Sequence, residues 1–326
     1  MTTDYSSVRG FNYQMSRGTT SLENWLYFDP DIWELELRRG KDYFPAFNMV
    51  RYWLSWDAYF RRPAIFKGHF EQSLAIADKL GIKVMPCLFN RWHDASGYDC
   101  GGVYTENIAL PSAWGYYRRE YRDYVADLAQ EHAGDDRIAI WDICNEPYSY
   151  NDLNELTRPL VQPETDWLTE MYQTLKQFDP STPVGVSIHQ HHEREGLEWV
   201  TPISDVMLIH PYFICTPEQI HDPEHRQDYL DRLDRMVAYG QEVGKPMLVT
   251  ETCWGALKDE DRVEILKFTL GAIHERGLGF LAHALHYSLV ADLHDPVDGF
   301  VGHSYNLAFT TKDGSLRPGH EIFNNY

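Results

Sequence analysis

Two glutamates stand where side chains can do acid and base work. Glu146 follows the apolar run IAIWDIC inside the triplet Asn145-Glu146-Pro147, and Glu251 follows MLVT, so each carboxyl sits at the end of a predicted strand. They lie 105 positions apart. Spread over three strand-helix units this is about 35 residues each, close to the roughly 30 or more that such a unit takes. Two carboxyls that converge can divide the work, one giving up a proton while the other attacks or stabilises an electron-poor carbon. Cleavage of a glycosidic bond is chemistry of this kind, because its oxocarbenium-like transition state uses one carboxylic acid and one carboxylate.

Such a pair needs a fold that gathers strand ends. Short apolar runs read as strands at 8–13, 49–54, 83–89, 138–144, 184–188, 206–209, 247–250 and 279–285. Helical spacing of apolar residues follows several of them, through 70–81, 113–133, 167–178, 229–243 and 259–276, with Gly81, Gly134, Gly244 and Gly277 as stops. Alternating strands and helices predict an α/β fold, a (β/α)8 TIM barrel forming one catalytic domain over residues 1–326. Its strands are buried on both faces, which is why they read as apolar runs. Strands four and seven face each other across a barrel of this size, so Glu146 and Glu251 can meet above its axis. Long connections at 90–112, 147–165, 213–228 and 288–304 would all leave that face and wall a cleft.

Asn-Glu-Pro after an apolar strand ending near Trp141-Asp142, together with the later GKPMLVTETCWG, resembles clan A of the glycoside hydrolases and specifically the cellulase-like family 5. The resemblance implies a retaining β-glycosidase or β-glycanase with Glu146 as acid/base and Glu251 as nucleophile. It makes Asn145 the amide that binds a sugar 2-hydroxyl, and Arg51 in NMVRYWLSW the support of the nucleophile. On strand six it matches His210 and Tyr212 in LIHPYF as residues that approach the site. The family's usual tryptophan at the end of strand eight is missing: FLAHALHYSL places His286 and Tyr287 there. Its usual histidine after strand three falls near Asn90, Trp92 and His93 in PCLFNRWHD. Trp53, Trp56, Trp92, Trp114, Tyr148 and Trp254 lie at strand ends or in the loops above them and are candidates to stack on sugars, Trp254 first because it follows Glu251 by three residues.

Two rival readings use the same barrel. His189, His191 and His192 in SIHQHHE, with His283, His286, His294 and His303, are dense on the same face, and His-x-His at a strand end places two imidazoles on one side, as in metal-dependent barrel hydrolases. That reading leaves Asn-Glu-Pro unexplained, so no metal or cofactor is expected. A barrel that binds saccharides without cutting them is the other, and it would have no use for both carboxylates. The net charge of −20 disfavours nucleic acid and anionic membranes as partners and leaves a carbohydrate substrate. The five cysteines are spread without a C-x-x-C, which indicates neither a disulfide framework nor a zinc site. No G-x-G-x-x-G, P-loop or G-x-S-x-G occurs. The first residues, MTTDYSSVRG, carry no basic and apolar leader pattern, which predicts a cytoplasmic location.

Overall fold

The computed structural model describes residues 4–18, 20–91, 103–109, 111–149, 154–288 and 307–326. Eight parallel strands close into a barrel in chain order. They are β1 (Arg9–Asn12), β2 (Met49–Trp53), β3 (Lys83–Asn90), β4 (Trp141–Asn145), β5 (Val184–His189), β6 (Met207–His210), β7 (Met247–Val249) and β8 (Phe280–Ala282). Pairing of β1 with both β2 and β8 completes the ring. Helices α1 (Ser21–Leu26) and α2 (Pro30–Tyr43) follow β1, α3 (Trp56–Arg61) and α4 (Pro63–Lys79) follow β2, and α5 (Thr105–Ala109) and α6 (Pro111–Glu131) follow β3. Then come α7 (Val161–Phe178), α8 (Glu193–Val200), α9 (Pro223–Val243) and α10 (Asp259–Glu275), one after each of β4 to β7.

Local chemistry fixes where the helices start and stop. Asp29 and Asp222 accept from the first free backbone N–H groups of α2 and α9, each with proline at the first helical position. Gly81, Gly134, Gly244 and Gly277 all take the left-handed conformation, φ 66° to 69°, that ends a helix without a Cβ clash. Among the described residues no helix is long and apolar enough to cross a membrane.

The barrel interior is layered. Met49, Met85, Ile140, Leu208, Leu248 and Leu281 pack together as an apolar floor with Tyr5, Val8 and Val206. A strand's side chains alternate in direction, so residues two positions further on face inward again. These are Arg51, Cys87, Asp142, His210, Thr250 and His283, with Asn12 beyond Gly10 and Ser187 beyond Gly185. The two glycines admit the floor leucines: a Cβ at Gly10 would lie 2.8 Å from Cγ of Leu281, and one at Gly185 2.6 Å from Cδ1 of Leu208. A polar layer thus rests on an apolar one, and the helices pack outside over a second, larger core.

Two strand boundaries differ from the sequence reading by more than one residue. Ile138 makes only an isolated bridge to Val84, so β4 begins at Trp141 rather than at 138. The apolar stretch over 279–285 forms a strand only through Ala282. Beyond it Ala284 N–H donates to Leu307 O and Phe309 N–H donates back to Ala284 O. A remote segment captures these residues, and local sequence pattern does not announce a partner that far along the chain.

Candidate active site

Arg51 on β2 is fully buried and organises the polar layer. Its guanidinium donates from Nε to Asp142 Oδ2 (2.9 Å) and from Nη1 to Asn12 Oδ1 (2.8 Å) and Glu251 Oε1 (2.6 Å). From Nη2 it donates to Asn145 Oδ1 (2.7 Å) and Ser187 Oγ (3.0 Å). A guanidinium has five N–H donors in a rigid fork, and this set of acceptors uses all of them. Burial alone would lower the Arg51 pKa, but the carboxylates of Asp142 and Glu251 raise it, so the charge is permanent. Asn145 passes the order outward by donating from Nδ2 to Asn90 Oδ1 at 3.0 Å.

The two glutamates converge from strands three places apart in the ring. One oxygen from each and a ring nitrogen of His210 all lie within 4.8 Å of one another. Glu251, two residues past the end of β7, receives Arg51 on Oε1 and the Tyr212 hydroxyl on Oε2 at 2.7 Å. Glu146 follows β4, its N–H donating to Ser187 O on β5 (3.0 Å), and its Oε1 lies 2.6 Å from His210 Nδ1. Burial pushes the Glu146 pKa well above the ordinary range and the charge on Glu251 adds to the effect, so Glu146 holds a proton. Burial would raise Glu251 as well. There the neighbouring His210, Arg51 and His283 outweigh it, with the Tyr212 hydrogen bond, and hold the carboxyl well below the usual range. His210 is itself pushed down to about 3 by burial. It is therefore neutral near pH 7, which leaves Arg51 as the full positive charge in hydrogen-bond reach of Glu251.

Arg51, Asn145, His210 and Tyr212 are thus brought around Glu146 and Glu251. Trp254 is half-buried, its ring edge-on to Tyr212 at 5.5 Å between centroids. Trp53, also half-buried, lies under the Arg51 guanidinium, 5.0 Å from carbon to ring centroid. Tyr148 and Trp56 are buried and packed on Trp199 and Tyr121, so neither is a rim platform. Trp92, His93, His294 and His303 lie outside the described residues, as does the side chain of Trp114.

His286 and Tyr287 are not brought to the carboxyls. His286 Nδ1 lies 2.8 Å from Tyr287 O and 3.6 Å from Glu36, and the Tyr287 ring lies under Lys312. The early end of β8 is the reason: the first residue past the strand is His283, and it faces the site in their place. Its ring meets Trp53 edge-on at 5.9 Å, and it is close enough to Glu251 for each to influence the other's ionisation. Burial lowers its pKa, which keeps it neutral. Sequence reasoning also missed Asn12, Asp142 and Ser187. Their signal was present as polar residues at alternate positions inside apolar strands.

Histidines at the end of β5 lie beside the site, His189 being paired in register with His210. His189 and His191 touch through their Nδ1 atoms, and burial lowers the pKa of both. His192 packs on Trp199. Among the described residues the one cluster of three or more groups with metal-ligand spacing is Glu146, His210 and Glu251, and none of those residues adds a third ligand to the His189/His191 pair.

A closed parallel barrel with two carboxyls over its mouth defines a class of sugar-cleaving proteins, and the chain belongs to one family within it. Residues 45–287 match the family described as cellulase, glycosyl hydrolase family 5. A stretch of 121 residues is 30% identical to a probable mannan endo-1,4-beta-mannosidase C of Aspergillus terreus, covering 34% of this chain and 29% of that protein. In fold the chain is similar to an exo-beta-1,4-mannosidase from Opitutaceae bacterium strain TAV5, with TM-score 0.74 and 17% identity over 100% of this chain and 61% of that one. It is also similar to a GH5_18 protein from Streptomyces cattleya in complex with GlcNAc, with TM-score 0.73 and 17% identity over 98% of this chain and 80% of that one.

Proposed function

We propose that this chain is a retaining glycoside hydrolase acting on a β-linked glycoside by double displacement. Glu251, ionised and backed by Arg51 and Tyr212, attacks the anomeric carbon. Glu146, protonated in the ground state, gives its proton to the leaving oxygen, then takes one from the water that releases the glycone with retained configuration. The observation that carries this reading is the opposite tuning of two buried carboxyls whose oxygens come within 4.8 Å. Retaining enzymes keep their carboxyls about 5 to 5.5 Å apart, whereas inverting ones leave about 6.5 to 9.5 Å for a water.

The Asn145 amide, fixed between Arg51 and Asn90, is suited to a hydroxyl next to the anomeric carbon. Trp254 and Trp53 offer faces to the sugar, and His283 a neutral hydrogen-bonding ring. Among glycones we place β-1,4-linked mannosides first, because one relative is named an endo-mannosidase and one structural neighbour an exo-mannosidase. The chain is expected to work as one catalytic domain, a reading supported by the packing of residues 320–325 against the outer wall of the barrel, where Phe323 stacks on Phe11 at 4.4 Å.

A panel of 4-nitrophenyl β-glycosides, with NMR of the first product's anomeric configuration, tests all of this together. Turnover should be fastest on the mannoside and give the β-anomer first. An α-anomer first product from a β-substrate would remove the double displacement. Glu251→Ala should abolish turnover, and Glu146→Ala should spare 2,4-dinitrophenyl glycosides, whose leaving group needs little protonation, far more than poorer ones.

A further inference from the structure

The backbone that carries Glu146 is held in an unusual state. Glu146 has φ 45° and Tyr148 has φ 64°, both in the left-handed region and neither a glycine, with Pro147 between them. Such conformations persist only where the surroundings over-determine them. On the inner side the turn is held by Glu146 N–H to Ser187 O, and it is closed on itself by Ser149 Oγ donating to Glu146 O at 2.8 Å. On the outer side Tyr148 N–H donates to Glu164 Oε2 at 3.2 Å.

Glu164, near the start of α7, is itself buried, with 1% of its side chain exposed, and so is its partner Arg91. Arg91 Nε donates to Glu164 Oε1 at 3.0 Å, and Arg91 N–H donates to Asn145 O at 2.9 Å, directly before the turn. The remaining guanidinium nitrogens donate to Val103 O (3.2 Å) and Thr105 Oγ1 (2.6 Å). One ion pair therefore ties the segment after β3, the turn after β4 and the head of α7 into a single brace. Neither residue touches Glu251 or Arg51 in this arrangement, and the double displacement gives neither a chemical step.

We propose that Glu164, seated by Arg91, is a positioning residue for Glu146: it fixes the turn from outside and so sets where the acid/base presents its proton. The proposal rests on the reading of Glu146 as the acid/base. Glu164→Gln presents an amide that cannot accept from both Arg91 and Tyr148 N–H through two carboxylate oxygens, so one end of the brace lets go. Displacement of a catalytic group by about 1 Å can cost about 10²-fold in rate. Here the loss should fall on proton donation.

The experiment is a series of aryl β-mannosides, or of whichever glycone turns over fastest, with leaving groups from 2,4-dinitrophenol to phenol. The readout is the slope of log kcat/KM against leaving-group pKa for wild type, Glu146→Ala and Glu164→Gln. Glu164→Gln should lose about 10²-fold on the poorest leaving group and less than about 3-fold on the best, steepening the slope toward that of Glu146→Ala. An equal loss across the series, or no loss, overturns the proposal. If Glu146→Ala itself fails to steepen the slope, the acid/base reading is what has failed, and the two failures are thereby distinguished. Glu164→Asp keeps the buried charge beside Arg91 but shortens the reach to Tyr148. It should give the same steepening, and it carries the test should Glu164→Gln not accumulate as folded protein.

Discussion

Removal of the Arg51 charge is the perturbation whose consequence can be worked furthest. Arg51 Nη1 lies 2.6 Å from Glu251 Oε1, with both side chains buried, which puts the centres of charge about 4 Å apart. At an effective dielectric of about 20 the attraction is about 4 kcal/mol, and since 1.36 kcal/mol corresponds to one pH unit, Arg51→Met should raise the Glu251 pKa by about 3 pH units. The sign follows from the nucleophile being active only when ionised. In wild type Glu251 is depressed, so activity at neutral pH does not depend on its titration. In the variant the acid limb of the kcat/KM profile should climb by about 3 pH units, from about 2 to about 5, and turnover at pH 4 should fall much more than turnover at pH 7.

Asp142 shares the same guanidinium at 2.8 Å, so the variant also leaves a second buried carboxylate without its counter-charge, at a cost of about 3 to 5 kcal/mol in stability. Arg51→Met with Asp142→Asn removes that orphan and is the form to assay if the single variant melts too low. The assay is the pH dependence of kcat/KM on an activated aryl glycoside, with circular dichroism to establish folding at each pH. A folded variant whose acid limb stays at the wild-type position would refute the reasoning that Arg51 keeps Glu251 ionised.

Three further outcomes are expected. Glu146 is raised by burial and by Glu251, so its contribution to stability is complete below the ordinary carboxyl pKa of about 4.3 and is lost as pH rises through the raised folded value. Glu146→Gln has no ionisation to suffer, so its Tm should exceed that of wild type by a margin that widens from about pH 5 to about pH 9, and a constant margin would contradict the assigned protonation. His283→Ala should raise KM about 3- to 10-fold with little change in kcat, the loss of one hydrogen bond made equally to bound substrate and transition state, whereas a fall in kcat at constant KM would give His283 a different part. Dialysis against EDTA should leave turnover unchanged, and its loss, restored by zinc, would move the chemistry to the metal reading of His189 and His191.

Much of the arrangement was legible in the chain because the local rules and the fold agree. Gly81, Gly134, Gly244 and Gly277 end helices for a reason that needs no tertiary context. Glu146 and Glu251 could be placed because each follows a largely apolar run. His283 could be put on the same face but not singled out among its histidines, since its place at the site depends on Ala284 exchanging hydrogen bonds with residues 307 and 309. Strand periodicity carries no trace of that remote pairing. Asp142 was visible only as a charge in an apolar strand. What makes it tolerable there is Arg51, which lies 91 positions earlier and touches it only after the barrel has closed. The helices before β2 and the short ones after β2, β3 and β5 were likewise not foreseen.

The apolar floor has a consequence for traffic. Met49, Met85, Ile140, Leu208, Leu248 and Leu281 close the lower end of the barrel among the described residues, and Gly10 and Gly185 let two of those leucines seat fully. With that end plugged, everything that reaches the carboxyls enters and leaves through one mouth. On a double-displacement path the departing alcohol and the incoming water then share a doorway, and the second can come in only after the first has gone out. On such a path a small alcohol held at that threshold would compete with water for the glycosyl group.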